Sequence, residues 1–209
     1  MAFTFCLKTF INGVHFTKGM FTKGEFQKIR KHMHAQEERR EQLIRHSRDV
    51  IQLSKQLIYA LHRDDSKKAG ALLKTITAAK KQLDKHSGTR LDTDMDRVAF
   101  QEYVEAACYY GFLADGKLPT VRALGVLPED YLAGLSDLTG ELTRKAVMVA
   151  IEKKFDQVAT IKELVERIYG EFLQLNLRNN ELRKKSDAIK WNLKKLEDLL
   201  FDTSLKGSR

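Results

Sequence analysis

The stretch QLIRHSRDVIQLSKQLI, residues 42–58, repeats an apolar pair every seven residues. The pairs are Leu43/Ile44, Val50/Ile51 and Leu57/Ile58. Seven residues make nearly two turns of an α-helix, so the three pairs lie along one side of the helix. A seam of this kind is buried by packing against another helix. The stretch therefore predicts a helix, from about residue 25 to residue 62, that belongs to a helical bundle.

The rest of the chain continues this pattern. Apolar stripes with helical spacing predict further helices at about 67–85, 92–113, 128–153, 155–175 and 179–202, with a short helical turn after Pro119. Only two prolines interrupt the chain, and no stretch alternates between apolar and polar residues for long enough to indicate a strand. The sequence predicts an all-α fold, an antiparallel bundle of six or seven helices.

The first 24 residues fit the helical pattern poorly, and the tetrapeptide FTKG occurs there at 16–19 and again at 21–24. We expect residues 1–24 to form an irregular N-terminal arm or a non-native leader. Residues 25–209 are expected to form a single helical domain.

Composition limits the class of protein. Of the 209 residues, 43% are hydrophobic and 31% charged, which is typical of a soluble globular protein. No apolar run approaches the ~20 residues that span a bilayer, and the beginning of the chain is a poor signal peptide. We expect a cytoplasmic protein with no membrane partner. Cys6 and Cys108 are too few for a disulfide framework or a zinc site of their own, and are expected to be buried as small apolar side chains.

The chain is strongly basic, with a formal net charge of +9. Such an excess favours a polyanionic partner such as nucleic acid. We predict that Arg144 in the 128–153 helix, and four residues of the last helix, bind phosphate groups: Arg183, Lys184, Lys190 and Lys194. The alternative is a basic face that contacts only solvent. Trp191 lies outside the apolar stripe of that helix and indicates a contact between subunits.

Two glutamates lie in the apolar run AFQEYVEAACYYGF, residues 99–112. Glu102 and Glu105 are three residues apart, so they lie on the same side of a helix that is apolar nearly all round and therefore buried. Two neighbouring carboxylates repel each other, and one takes up a proton unless basic side chains or a cation compensate.

A second acidic pair lies in DYLAGLSDLTGEL, residues 130–142. Asp137 and Glu141 are one helical turn apart. Gly134 and Gly140 each cost about 1 kcal/mol relative to alanine in a helix, which indicates close approach by another helix or a substrate strand. Four carboxylates from two helices suit Mg²⁺, which prefers oxygen ligands and promotes attack on phosphodiesters. The alternative is that these carboxylates form solvated faces or surface salt bridges.

Several segments resemble the translin/Trax family. QEYVEA (101–106), DYLAGLSDLTGEL (130–142) and HSRDVIQLSK (46–55) resemble the Trax branch. The tail NLRNNELRKKSDAIKWNLKKLEDLLFDTSLKG (176–207) is closer to the translin branch. The likeness covers roughly residues 35–207, in order along the chain.

This resemblance implies a fold of about seven helices that assembles into closed oligomers enclosing nucleic acid, with a magnesium-dependent endoribonuclease site in Trax subunits. It implies that Glu102, Glu105, Asp137 and Glu141 hold Mg²⁺ or Mn²⁺, and that the first three are catalytic. Because one chain combines a Trax-like site with a translin-like tail, it resembles the single-subunit prokaryotic members, in which a homo-oligomer replaces two different chains.

We therefore predict a hydrolase, a metal-dependent endoribonuclease acting on RNA inside a helical homo-oligomeric cage. The alternative is a non-catalytic scaffold that binds RNA or single-stranded DNA, in which the carboxylates pair with Arg144 or Arg97. A third reading is a helical assembly protein whose seams serve only subunit contact.

Overall fold

The computed structural model describes residues 23–88, 93–178 and 181–207, and within these ranges it describes side chains from residue 24 to residue 202. Across these ranges the structure contains seven α-helices and no strand, as predicted. The helices are α1 (Lys23–His62), α2 (Ser66–Asp84), α3 (Met95–Asp115), α4 (Val121–Leu124), α5 (Pro128–Ile151), α6 (Phe155–Gln174) and α7 (Glu181–Gly207). The last helix continues past its predicted end at residue 202, as far as Gly207.

Contacts within the chain divide it into two compact units, Met1–Glu41 and Gln42–Arg209. The described part of the first unit is the first part of α1. The N-terminal arm expected at 1–24 lies outside the described residues except for the last two, which begin α1. That expectation and the single domain expected at 25–209 both stay predictions. Every feature discussed below lies within the second unit.

Helix α5 packs against three other helices, α3, α6 and α7. It begins with Pro128. Proline lacks a backbone N–H, but the first turn of a helix has no hydrogen-bond partner for that group. Glu129 and Asp130 lie at the positive end of the helix, as the sequence predicts. Gly116 ends α3 in the left-handed conformation, with φ of 66°.

The predicted seam of α1 forms part of the core. Leu43, Val50 and Leu57 are each at most 1% exposed. Cys108 is also fully buried, as expected, whereas Cys6 lies outside the described residues. Among the helices as described, none is both long and apolar enough to cross a membrane.

The backbones of α3 and α5 approach closely at Gly134. A Cβ atom at this position would lie 2.6 Å from the carbonyl oxygen of Gln101 and 2.7 Å from Val104 Cβ. The predicted close approach of another helix is therefore confirmed at Gly134. At Gly140 a Cβ would meet only the Asn192 amide, at an ordinary 3.7 Å, so no described helix requires a glycine there.

Candidate active site

The close contact between α3 and α5 brings the four predicted carboxylates into one region. Glu102, Glu105 and Glu141 line a pocket of about 330 Å³. Asp137 lies beside it, near enough for its charge to raise the pKa of both Glu102 and Glu105. Because a side chain at Gly134 would push α3 away, the glycine one turn before Asp137 permits this arrangement.

Glu105 is the most buried member of this acidic cluster, which comprises Glu102, Glu105, Asp137 and Glu141. It is 9% exposed, and no described side chain donates a hydrogen bond to it or forms an ion pair with it. Burial raises the pKa of Glu105 to about 8, and the charges of Asp137, Glu102 and Glu141 act in the same direction. The carboxyl group is therefore mostly protonated at neutral pH while no cation is bound.

Glu102 lies nearer the surface and has a basic partner. Lys55 Nζ of α1 is 3.5 Å from its Oε1. Burial raises the pKa of Glu102, and the charge and hydrogen bond of Lys55 oppose that rise. Lys55 had not been predicted as a site residue, because a lysine beside a heptad seam is indistinguishable in sequence from a solvated one.

Asp137 is compensated by α7. Lys185 Nζ lies 2.7 Å from Asp137 Oδ1 and donates to both carboxylate oxygens. The Ser136 hydroxyl donates to the carbonyl oxygen of Lys185 at 2.8 Å, which ties this turn of α7 to α5. Lys185 belongs to a basic run in the sequence, but which lysine of the run faces α5 depends on how α7 is rotated.

Glu141 receives a very short hydrogen bond from His62 Nε2, at the end of α1. This bond lowers the pKa of Glu141, against the opposing effect of burial. The other ring nitrogen, His62 Nδ1, lies 3.3 Å from the Tyr109 hydroxyl, within hydrogen-bond distance. Sequence reasoning missed His62. The sequence does contain one indication that His62 is buried: it directly follows Leu61, where the buried seam of α1 ends.

Of the predicted phosphate-binding residues, only Arg144 lies at the pocket. Its Nη1 is 3.8 Å from Glu141 Oε2. The four predicted residues of α7 are exposed, but the structure does not bring them to the acidic cluster; they are Arg183, Lys184, Lys190 and Lys194. Arg97, the other predicted partner of the carboxylates, pairs with Asp130 instead, at 3.2 Å.

The acidic cluster has the right donor atoms for a divalent cation, but the positions of these atoms in the structure are not those of a metal site. Four carboxylates are a suitable donor set for Mg²⁺, and Glu105 has no partner among the described side chains. Yet within residues 23–88, 93–178 and 181–207 no three His, Cys, Asp or Glu side chains are gathered closely enough to hold a metal ion. Lys185 and His62 already occupy oxygens of Asp137 and Glu141, so binding would require Lys185 to move.

Comparison with known proteins places this site in a family context. The Translin family profile matches residues 38–207. Translin from Gallus gallus is 35% identical over 79 residues, which are 38% of this chain and 34% of that protein. Translin-associated protein X from Rattus norvegicus is 26% identical over 232 residues, covering 88% of this chain and 78% of that protein. The chain spans about a third to just over half the length of the translins it matches.

Solved structures share the fold. The crystal structure of apo-NeC3PO superimposes with a TM-score of 0.78 at 27% identity, covering 87% of this chain and 97% of that one. The AfC3PO–duplex RNA complex gives a TM-score of 0.78 at 23% identity, over the same shares of the two chains.

Proposed function

Since this chain belongs to the translin family, we propose that it is a metal-dependent endoribonuclease, a hydrolase that cleaves RNA phosphodiesters. The single observation that carries the proposal is Glu105. A buried carboxyl group with no described partner, facing three other carboxylates, is destabilising for the fold alone. It is compensated when the acidic cluster holds a cation.

Glu102, Glu105, Asp137 and Glu141 would hold Mg²⁺ or Mn²⁺. When bound, the ion supplies positive charge beside the phosphodiester and makes an attacking water more acidic. Each protein group has a separate task. Glu105 would lose its proton to solvent when it holds the ion, and Lys185, displaced from Asp137, would be available to a phosphate oxygen.

Other residues keep the site in shape. The Tyr109–His62–Glu141 hydrogen bonds hold the Glu141 carboxylate in a fixed orientation. Arg144, 61% exposed at the rim of the pocket, binds a phosphate of the RNA backbone. Residues Glu102, Glu105 and Asp137 carry the catalytic role predicted from the sequence.

We propose that the protein acts as a homo-oligomer, in a cage that encloses the RNA. Trp191 on α7 is 63% exposed, in agreement with the outward position expected from the sequence. A large exposed aromatic side chain is typical of a subunit interface. The phosphate-binding role of the exposed α7 cations and the cytoplasmic location stay predictions.

The proposal is tested by cleavage of a labelled RNA. The unmodified chain is compared with Asp137→Ala in Mg²⁺ and in EDTA, and Asp187→Asn, an exposed α7 position, serves as the control. We expect cleavage only by the unmodified chain and the control, and only with Mg²⁺. Metal-dependent cleavage that survives Asp137→Ala would refute the acidic cluster as the nuclease site.

The second candidate function is a non-catalytic RNA-binding scaffold. It is favoured by the pairing of Asp137 with Lys185 and of Glu141 with His62, which gives both carboxylates a structural role without metal. Under this alternative, Mg²⁺ or Mn²⁺ leaves the melting temperature unchanged. Metal binding to the native state raises it.

A further inference from the structure

A second cavity runs along the outer face of α1, close to the acidic cluster. Its volume is about 640 Å³, and its described lining includes Arg48, Gln52, Lys55, Tyr59 and Lys68. Three of the lining residues are cationic, and no described lining residue is acidic. Neither Arg48 nor Lys68 forms an ion pair with any described residue. We call this cavity the α1 groove.

The groove residues of α1 form a regular stripe. Arg48, Gln52, Lys55 and Tyr59 follow one another at spacings of four, three and four residues, so they lie on one side of the helix. The core seam through Val50 faces elsewhere, and none of the four is needed to fill the bundle. Arg48 and Lys55 are separated by about 10 Å along the helix axis at 1.5 Å per residue.

The groove and the acidic pocket share part of their lining. Lys55 and Tyr59 line both cavities, and Lys55 lies 3.5 Å from Glu102. A polyanion lying in the groove would therefore reach the carboxylates directly. Lys55 would contact the polyanion at the point where the polyanion passes from the cationic groove to the acidic pocket.

Tyr59 is placed to contact a base. It is 57% exposed, and Arg63 holds its ring in position. The Arg63 guanidinium lies 5.6 Å from the ring centroid and donates a hydrogen bond to the Tyr59 hydroxyl at 3.2 Å. Aromatic side chains beside cations are a common means of holding unpaired nucleotides, since every base offers a face for stacking.

We propose that the α1 groove binds single-stranded RNA and directs it into the acidic pocket. Arg48, Lys55 and Lys68 pair with successive phosphates, and a base stacks on Tyr59. This inference rests on the proposed function, because it takes the acidic pocket to be the nuclease site. It assigns the main phosphate contacts to α1 and α2 instead of the exposed cations of α7.

The test measures binding of a labelled single-stranded RNA to the full chain in EDTA, so that cleavage plays no part. The variant Arg48→Gln/Lys68→Gln is compared with a matched control, Arg45→Gln/Lys74→Gln. The control removes two exposed cations from the same two helices, outside the groove. A third variant, Lys190→Gln/Lys194→Gln, removes two cations from α7.

Each phosphate contact contributes about 0.7 to the slope of log K against log salt for a single strand, so the groove variant should lower that slope by about 1.4. Tyr59→Leu should weaken binding about tenfold and leave the slope unchanged. A duplex of the same sequence should be insensitive to Tyr59→Leu. Melting curves of all variants establish that these exposed substitutions leave the fold intact.

Four outcomes overturn the groove. They are an equal loss of slope in the control, a loss confined to the α7 variant, an equal effect of Tyr59→Leu on duplex RNA, and no RNA binding by the unmodified chain. The nuclease proposal fails separately. If Asp137→Ala retains cleavage while the groove variant loses binding, the groove stands but the acidic cluster is not the nuclease site. If the groove variant binds normally while Asp137→Ala abolishes cleavage, the nuclease stands without the groove.

Discussion

The two sides of helix α5 are built differently. Toward α3 the helix backbones approach closely, with Gly134 leaving no room for a Cβ beside Gln101. An ion pair between Arg97 and Asp130 also joins these two helices. Toward α7 the contact consists of side-chain hydrogen bonds, from Lys185 to Asp137 and from Asn192 to Thr139. Backbone contacts between packed helices have little freedom to adjust, whereas a lysine can change rotamer. The site thus combines two closely packed helix backbones, which carry the carboxylates, with a counter-ion that can change its position.

The largest change in stability is expected for Glu105→Gln in α3, which tests the side of α5 that packs against α3. The unfolded pKa of Glu105 is near 4.5 and the folded pKa about 8. Above pH 4.5 the unfolded chain releases this proton and the folded chain keeps it, so stability falls as pH rises toward 8. Glutamine cannot ionise. We expect the variant to be more stable than the unmodified chain by about 2 to 4 kcal/mol at pH 8, at about 1.4 kcal/mol per pKa unit.

Urea unfolding in EDTA at pH 4.5, 6 and 8 measures this difference, which should vanish at the lowest pH. Glu163→Gln, an exposed α6 glutamate paired with Arg167, is the control and should show little change at any pH. A gain that is the same at all three values would show that Glu105 does not titrate as described.

The second effect compares the two glycines of α5. Gly134→Ala forces α3 and α5 apart and should destabilise the fold by about 1 to 3 kcal/mol. Gly140→Ala has room for its methyl group and should be neutral or stabilising, by up to about 1 kcal/mol. Urea midpoints of the two variants make the comparison. Equal losses at both positions would mean that the two sides of α5 are equally tight.

The third effect concerns Lys185, the counter-ion of Asp137 on the side of α5 that packs against α7. Lys185→Gln removes the ammonium that competes for Asp137, so Mn²⁺ should bind about fivefold more tightly, since a half-exposed ion pair contributes up to about 1 kcal/mol. Isothermal titration calorimetry measures the affinity, with Lys184→Gln as the control on the same helix. Unchanged or weaker binding by Lys185→Gln would show that the lysine is no competitor.

The smallest effect is expected at Tyr109. Tyr109→Phe removes the hydroxyl that lies 3.3 Å from His62 Nδ1 and should cost about 0.5 to 1.5 kcal/mol. Tyr110→Phe is the matched control, because its hydroxyl forms no hydrogen bond with a described residue. Urea unfolding at pH 7 distinguishes the two. A larger loss from Tyr110→Phe would argue against the hydrogen-bonded chain that ends at Glu141.

Some features of the fold and the site can be predicted from the sequence, and others cannot. Helix positions follow from periodicity, which is a local property, and the seam through Leu43, Val50 and Leu57 is buried as expected. The convergence of Glu105 and Asp137 was implied by the resemblance to the translin/Trax family. Recognising two helices does not by itself show that they pack together. Their counter-ions could not be predicted. Lys185 is 48 residues from Asp137, and His62 is 79 from Glu141, so their pairing depends on how distant helices are rotated and stacked.

The distance along the chain between Asp137 and Lys185 has a consequence for biosynthesis. All four carboxylates leave the ribosome before Lys185 does, and at 5–20 residues per second the interval of 48 residues lasts roughly 2 to 10 s. During that time α3 and α5 can meet while α7 is still being made. The nascent acidic cluster then has Lys55, His62 and solvent protons for compensation, or Mg²⁺ if it binds the ion as proposed above. In that case the ions available during translation influence how readily this half of the bundle forms.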